Sequence, residues 1–224
     1  MTWGIPSDPT EEGRFVEAVD WFRSLVIMTD SEWRTLTDTA KRKGFKLARV
    51  AQLDVVTDVW RAIDKALTRG EDFRDFKKRI KEHVAKGWRG ARLDTVFRTN
   101  VQKSYGAGRW VQATQPDTLG LRPYWMFDAV LDAATTPTCS ACDGTVLPAD
   151  DPWWQTHHAP LHFNCRSGFV TLTADQAEAR GVAKKGPNAK PDSGFGLEPG
   201  ADEWQPSKDD YPADLWSVYE DKAT

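Results

Sequence analysis

The chain of 224 residues is 40% hydrophobic and 28% charged, enough to bury a core in one medium domain or two small ones. Its 30 basic and 33 acidic side chains leave a formal charge of -3, which argues against a protein that coats nucleic acid along its whole surface. No stretch approaches the roughly 20 consecutive apolar residues of a membrane span, and Met1–Pro6 lacks the pattern of a secretory leader, so life in a cytoplasm is expected.

Asp8-Pro9-Thr10-Glu11 reads as a helix start, and Phe15, Val19, Phe22 and Val26 then form one apolar stripe. Thr29-Asp30-Ser31-Glu32 repeats the capping logic before Trp33, Leu36 and Ala40, with Gly44 as a break. Leu47, Ala51, Val55, Val59, Ile63 and Leu67 share a helical face that stops at Arg69-Gly70. Phe73, Phe76, Ile80 and Val84 mark a third helix ending near Lys86-Gly87, and Leu93, Val96, Phe97, Val101 and Tyr105 a fourth.

The pattern changes at residues 114–123, which read as a turn-rich linker. Tyr124–Leu131 and Phe169–Leu172 are strand candidates, with a loop-rich segment between them. The expected architecture is α+β and mainly helical: a helical bundle over residues 1–113, a small zinc-clipped α+β module over 124–173, and an irregular extended tail over 174–224. That tail would dock through Trp204, Tyr211, Trp216 and Tyr219. Tryptophan, present 11 times, serves cores and interfaces alike.

All 3 cysteines fall in one short span, as Cys139-Ser140-Ala141-Cys142 and His162-Phe163-Asn164-Cys165. A C-x2-C turn can present two ligands on one face, and an H-x2-C pair from another segment can close a tetrahedron of the soft donors that zinc prefers. The segment between them, Asp143 to Leu161, is polar and proline-rich, so a structural metal would supply folding free energy that burial cannot. Cys139, Cys142, His162 and Cys165 are the expected ligands, with His158 as the alternative to His162 and the neighbouring His157 as a further candidate.

Between Arg74 and Arg109 basic residues far outnumber acids, and Lys77, Lys78, Lys81, Arg89 and Arg92 are candidate phosphate contacts. The plainer reading of such a face is solvation or protein contact. Arg98-Thr99-Asn100 and Gly106-Ala107-Gly108-Arg109 suit close helix packing and directed hydrogen bonds better than diffuse charge.

An ordered series of segments resembles the phage Mu F-like minor head proteins of the wider phage head morphogenesis family. Arg92-Leu93-Asp94-Thr95-Val96-Phe97-Arg98-Thr99-Asn100-Val101-Gln102 is similar to that family's R-L-E-T-I-Y-R-T-N-x-Q helix, and Tyr105-Gly106-Ala107-Gly108-Arg109 to its Y-x-A-G-R continuation. Arg122-Pro123-Tyr124-Trp125 resembles R-P-Y-W, Asp143-Gly144-Thr145-Val146 the G-x-V element, and Asp150-Asp151-Pro152-Trp153-Trp154 the D-D-P-F-W element. Asn164-Cys165-Arg166 resembles the N-C-R-C terminator, and Gly194-Phe195-Gly196-Leu197-Glu198-Pro199-Gly200 a G-F-x-x-x-P-G signature.

The resemblance covers roughly Phe15 to Gly200. It implies a minor capsid component near the portal vertex, with the portal protein and other capsid or scaffold proteins as partners, and packaged DNA as a further one. No membrane and no small-molecule substrate are expected, and the implied place is the host cytoplasm during assembly, then the virion head. The sequence departs from the family where its members often carry His and Leu, here Cys139 and Cys142, and at the terminal C-R-C, here Cys165-Arg166-Ser167. The usual D-x-R-T-R-P appears as Asp132-Ala133-Ala134-Thr135-Thr136-Pro137, without its arginines.

Two rival readings differ in class. A His-Asn-His-type metal nuclease is suggested by His157, His158 and Asn164, but the interval from His158 to Asn164 is short for a strand–loop–helix site. A free-standing zinc nucleic-acid module would need a basic 124–173 segment, and that segment is nearly balanced in charge. A non-enzymatic assembly role is therefore expected.

Overall fold

In the computed structural model, which describes residues 15–36, 44–47, 53–80, 90–199, 213 and 216–217, the first helix is α1 (Val16–Arg23). Its stripe buries Ala18, Val19, Trp21 and Phe22. The expected continuation to Val26 ends early, because Ser24 N–H turns back onto the carbonyls of Asp20 and Trp21, and Val26–Ile27 become strand β1. Helix α2 (Asp30–Thr35) starts with the anticipated capping box, Thr29 and Glu32 satisfying each other's backbone amides. The Asp8 helix start and the expected positions Ala40, Ala51 and Val84 lie outside the described residues.

Gly44 does not simply break a helix. It opens strand β2 (Gly44–Phe45), which pairs in parallel with β1. A Cβ there would lie 2.9 Å from the Trp33 ring and 3.0 Å from the Met28 sulfur, so the close approach requires glycine. Leu47, expected on the next helix, instead precedes it in irregular chain. Helix α3 (Leu53–Arg69) then buries Val55, Val56, Val59, Trp60, Ile63 and Leu67, and ends as read at Gly70, whose φ is 63°. Phe22 stacks on Trp60 with centroids 5.3 Å apart, while Phe45 meets Phe22 edge-on at 5.6 Å. Helix α4 (Phe73–Arg79) is capped by Asp72, and its Phe76 packs on Phe97 at 4.9 Å. Phe97 belongs to the long helix α5 (Gly90–Ala113).

One polar knot sits in this core. Asp30 is buried yet bonds Lys46 at 2.6 Å and Arg34 at 2.7 Å, and Lys46 also lies 3.8 Å from the Trp33 ring centroid. The Lys46 ammonium, seconded by Arg34, holds the Asp30 carboxyl below its usual range.

The described residues fall into two compact units, Met1–Ser104 with Gly200–Thr224 and Tyr105–Pro199. Together they are mainly helical with small sheets, an α+β protein. The division lies inside α5, nine residues before the linker that the sequence suggested. Residues 114–123 are not a linker: they hold helix α6 (Pro116–Leu121), with Pro116 at its first turn, and belong to the second unit.

The second unit is built on an antiparallel sheet in the order β4-β3-β5, where β3 is Tyr124–Asp128, β4 Val146–Pro148 and β5 Gly168–Leu172. The sequence signalled β3 and β5; the three-residue β4 is too short for a periodic signal. Trp125 and Phe127 face one side of β3, packing with Leu147, Trp154, Leu161 and Phe169. Tyr124 and Met126 face the other side, with Val146, Leu172 and Ala177, the last carried by helix α9 (Ala174–Arg180). Between β3 and β5 lie two further short helices, α7 (Pro137–Cys142) and α8 (Trp154–His157).

Both sheet edges have outward carbonyls taken by donors from outside the sheet. The outward carbonyls of β5 take Arg109 Nε on Phe169 at 2.8 Å and Arg122 Nη2 on Thr171 at 2.7 Å. On β4, Val146 O accepts from Ala183 N–H and Pro148 O from Trp154 Nε1, and Pro148 has no amide to offer. Arg109, Arg122 and Trp154, all within the family-like segments, are thus committed to the sheet itself.

The expected extended tail is also more ordered than its composition suggested. Thr173 and Gln176 form a capping box for α9. Residues 186–198 lie along α8 and the chain after it: Asp192 N–H bonds Leu161 O, Gly196 N–H bonds Pro160 O, and His158 N–H bonds Gly196 O. Trp153 Nε1 donates to Pro187 O at 3.0 Å, and the His157 ring, stacked on Trp153, bonds Ala189 O through Nε2 at 2.6 Å. Of the four aromatic residues expected to dock the tail, Trp216 packs against Val26 and Met28 in the first unit, and Trp204, Tyr211 and Tyr219 lie outside the described residues.

Two glycines on helices should respond to alanine in opposite directions. A Cβ on Gly106 of α5 would sit 2.8 Å from Ala159 O, a backbone atom that cannot yield, so Gly106→Ala is expected to cost about 1–3 kcal/mol despite better helix propensity. Gly120 of α6 faces open space, and Gly120→Ala is expected to gain about 0.5–1 kcal/mol. Urea unfolding of the two variants checks both signs.

Candidate metal centre

Cys139 enters the site from α7. Thr136 caps this helix by accepting the Cys139 amide, and Pro137 fills its first position. His162 and Cys165 come from a tight turn in which Cys165 N–H bonds His162 O. Asn164 makes that turn in the left-handed region, φ 57°, which asparagine tolerates better than most residues. The two segments are tied by an ion pair, Arg166 to Asp132 at 2.5 and 2.6 Å, while Asp132 also accepts Ala134 N–H. Arg166 and the Ala134 amide hold the Asp132 carboxyl down at about 2.

Cys139 Sγ lies 3.2 Å from His162 Nε2 and 3.6 Å from Cys165 Sγ, and the three ligand atoms all fall within 4.8 Å of one another. With Zn–S near 2.3 Å and Zn–N near 2.0–2.1 Å, tetrahedral angles place two sulfurs about 3.8 Å apart and sulfur and nitrogen about 3.5 Å apart. The spacing therefore needs only small adjustments to admit the ion. His162 Nδ1 is 2.8 Å from Phe163 O, to which its N–H donates, leaving the Nε2 lone pair turned to the cysteines. Fixing the outer nitrogen on a carbonyl is the usual support of a metal-binding imidazole.

The electrostatics are those of a group that could hold a cation. The hydrogen bond to Cys165, helped by burial, pushes the Cys139 thiol up, and the same contact holds Cys165 well below the usual thiol range. Donors from the Leu161 and Ser167 backbone and the Ser167 side chain add to the effect on Cys165. A divalent ion binding between the two sulfurs would displace their protons.

Cys142 is not part of this group of three. One turn further along α7, it is fully buried in the core with Trp125 and Leu161, and burial raises its thiol to about 11. The turn of α7 that carries the C-x2-C pair points its second sulfur inward. His158, the alternative to His162, is elsewhere: 4% exposed, it packs on Phe169 and beside Gly106, and neither ring nitrogen has a hydrogen-bond partner. His157 serves the tail, as described above. Of the candidate phosphate contacts, Lys77 and Lys78 are exposed on α4, with Lys78 bonded to Asp75 at 3.1 Å, and Arg92 is half-buried on α5. Lys81 and Arg89 lie outside the described residues.

Sequence reasoning missed the Asp132–Arg166 clasp and the sheet-edge roles of Arg109 and Arg122. Each joins residues more than 30 positions apart, a separation at which local spacing leaves no signal. Within Asp132–Pro137 the retained Asp132 anchors the clasp, and Thr136, standing where the resemblance has an arginine, caps the helix that carries the site.

A family model described as Phage Mu protein F like protein matches residues 57–170, a span that includes all three strands of the sheet but the last residues of β5, and the whole cysteine–histidine group. The chain belongs to this family. As a Mu F-like protein it is 28% identical over 186 residues to the Putative capsid assembly protein F of Escherichia phage Mu, covering 74% of this chain and 42% of that protein. It is also 28% identical over 166 residues to the Mu-like prophage FluMu F protein of Haemophilus influenzae, covering 67% and 40%. The Mu F-like chain thus spans about two fifths of the length of these relatives. No solved structure matches it. Among the described residues, no helix is long and apolar enough to cross a membrane.

Proposed function

We propose that this Mu F-like protein is a minor head protein of a phage or prophage, acting in capsid assembly near the portal vertex and linked to DNA packaging or delivery. The observation that carries the reading is the family match over residues 57–170, seconded by a relative whose name is capsid assembly protein F. Its partners are the portal protein and other capsid or scaffold proteins, met in the host cytoplasm before the protein passes into the virion head. Packaged DNA is a further partner, reached through Lys77, Lys78, Lys81, Arg89 and Arg92.

The side chains that carry the family resemblance support a framework role, since Arg109, Arg122, Trp153 and Trp154 are all committed to backbone carbonyls of their own unit. His158 speaks against the nuclease alternative: both its nitrogens are buried, out of reach of a water to activate. Within the module, zinc is held by Cys139, His162 and Cys165, with Cys142 as fourth ligand after rotation about its Cα–Cβ bond. The metal has a structural part, pinning the 162–167 turn to α7.

Deleting the gene from an inducible phage is the direct test. The expected result is loss of DNA-filled heads in electron micrographs, tails being unaffected, with the protein present in heads purified from the complemented strain. Normal infectious particles from the deletion strain, containing none of the chain, would overturn the assignment.

A further inference from the structure

The turn that presents His162 and Cys165 brings the Cys165 sulfur against the Cys139 sulfur of α7. Cys139 Sγ and Cys165 Sγ are 3.6 Å apart, both buried, and joined to different segments 26 residues apart in sequence. Cys142 makes neither contact, although it is only three residues from Cys139. A disulfide needs its sulfurs at about 2.05 Å, so closure asks for a shift of about 1.5 Å, within reach of side-chain rotation in the 162–167 turn. The Cys165 flanks Phe163, Asn164 and Arg166 are exposed, so the turn lies at the surface although its sulfur is covered.

We propose that Cys139 and Cys165 are a disulfide-forming pair, giving the module a second, covalent closure that takes the place of the metal under oxidising conditions. The co-reactant is a small disulfide oxidant. One cysteine sulfur attacks the oxidant's disulfide, forming a mixed disulfide and releasing one thiol. The second cysteine sulfur then attacks the mixed disulfide at the protein sulfur and releases the other thiol. Two protein S–H bonds are lost, one S–S bond forms in the protein, one breaks in the oxidant, and the two protons end on the two thiols released. Cys142 stays reduced throughout. A reducing cytoplasm favours the metal form and the extracellular medium the covalent one. In both forms the same two segments stay joined.

The disulfide rests on the sulfur geometry, and only its competition with zinc rests on the metal reading above. The test uses the full chain, stripped with a chelator and incubated with oxidised glutathione, then digested without reduction and read by mass spectrometry. The expected product is a peptide linking Cys139 to Cys165, formed equally by Cys142→Ser and not by Cys165→Ser. A Cys139–Cys142 link, stable glutathione adducts alone, or unreacted thiols would each overturn the proposal. Repeating the incubation with zinc added separates the two readings: metal that binds slows the link at least tenfold, whereas an equal rate with a correct Cys139–Cys165 link sinks the metal site and leaves the disulfide standing.

Discussion

Chelation of zinc is expected to lower the unfolding temperature of the wild-type chain by on the order of 15–30 °C, in the transition reported by the tryptophans of the Tyr105–Pro199 unit. The size follows from mass action. Metal at about 1,000 times its dissociation constant stabilises the state that binds it by about 4 kcal/mol. For a unit of roughly 100 residues each kcal/mol moves the midpoint by about 4–8 °C. Differential scanning calorimetry with and without chelator measures it. Cys165→Ala should start near the chelated midpoint and show no further response, because it removes one of the three clustered ligand atoms. Cys142→Ser is the discriminating variant. If rotation brings Cys142 to the ion, the substitution weakens zinc by at least on the order of 10–100-fold, yet leaves a residual three-ligand site. A wild-type midpoint indifferent to chelator, with metal analysis showing less than one zinc per chain, would remove the structural-metal account.

How far the sequence carried this site depends on which physical signal each residue leaves. The candidate ligands Cys139, His162 and Cys165 were legible because soft donors at short spacing leave a pattern that local burial does not produce. The sequence spacing favoured His162 but left His158 open as the alternative, since both lie in the same loop-rich segment. The fold separates them by placing His158 beneath Phe169 and against Gly106, while Asn164 turns His162 back towards α7. Cys142 was assigned from spacing alone, and helix phase, set by Thr136 and Pro137, turned its sulfur into the core. The helices of the first unit were readable where stripes and caps coincide, as at Thr29 and Gly70. The parallel β1–β2 pair was not, because two-residue strands carry no period. Residues 186–198 illustrate the remaining gap. Their Gly, Pro and Lys content reads as a free tail, whereas their order comes from backbone amides and carbonyls meeting α8 and the chain that follows, a non-local fit that composition does not encode.

The His158 ring gives the second large effect, and its direction can be worked out. Burial lowers its pKa from 6.5 to about 4. Between those two values the unfolded chain binds a proton on His158 that the folded chain refuses, so stability falls as pH falls through the window. The contribution is fully present above pH 6.5, where both states are neutral at this ring, and is lost by the time the pH reaches about 4. The size is roughly 3 kcal/mol, a substantial fraction of the stability of a small unit. Replacing the ring by an apolar side chain of similar volume removes the acid loss, and removes two buried nitrogens without partners as well. His158→Leu is therefore expected to match or exceed the wild type at pH 7.5 and to surpass it by about 2–3 kcal/mol at pH 4.5. Both proteins are best unfolded in urea with chelator present, so that proton-driven loss of zinc from Cys139, His162 and Cys165 contributes to neither curve. Parallel pH profiles for the two chains would show that the acid sensitivity of the unit lies elsewhere, with the Asp132–Arg166 clasp as the next group to examine, since its low carboxyl pKa makes it lose its contribution only as pH falls from the ordinary carboxylate range towards about 2.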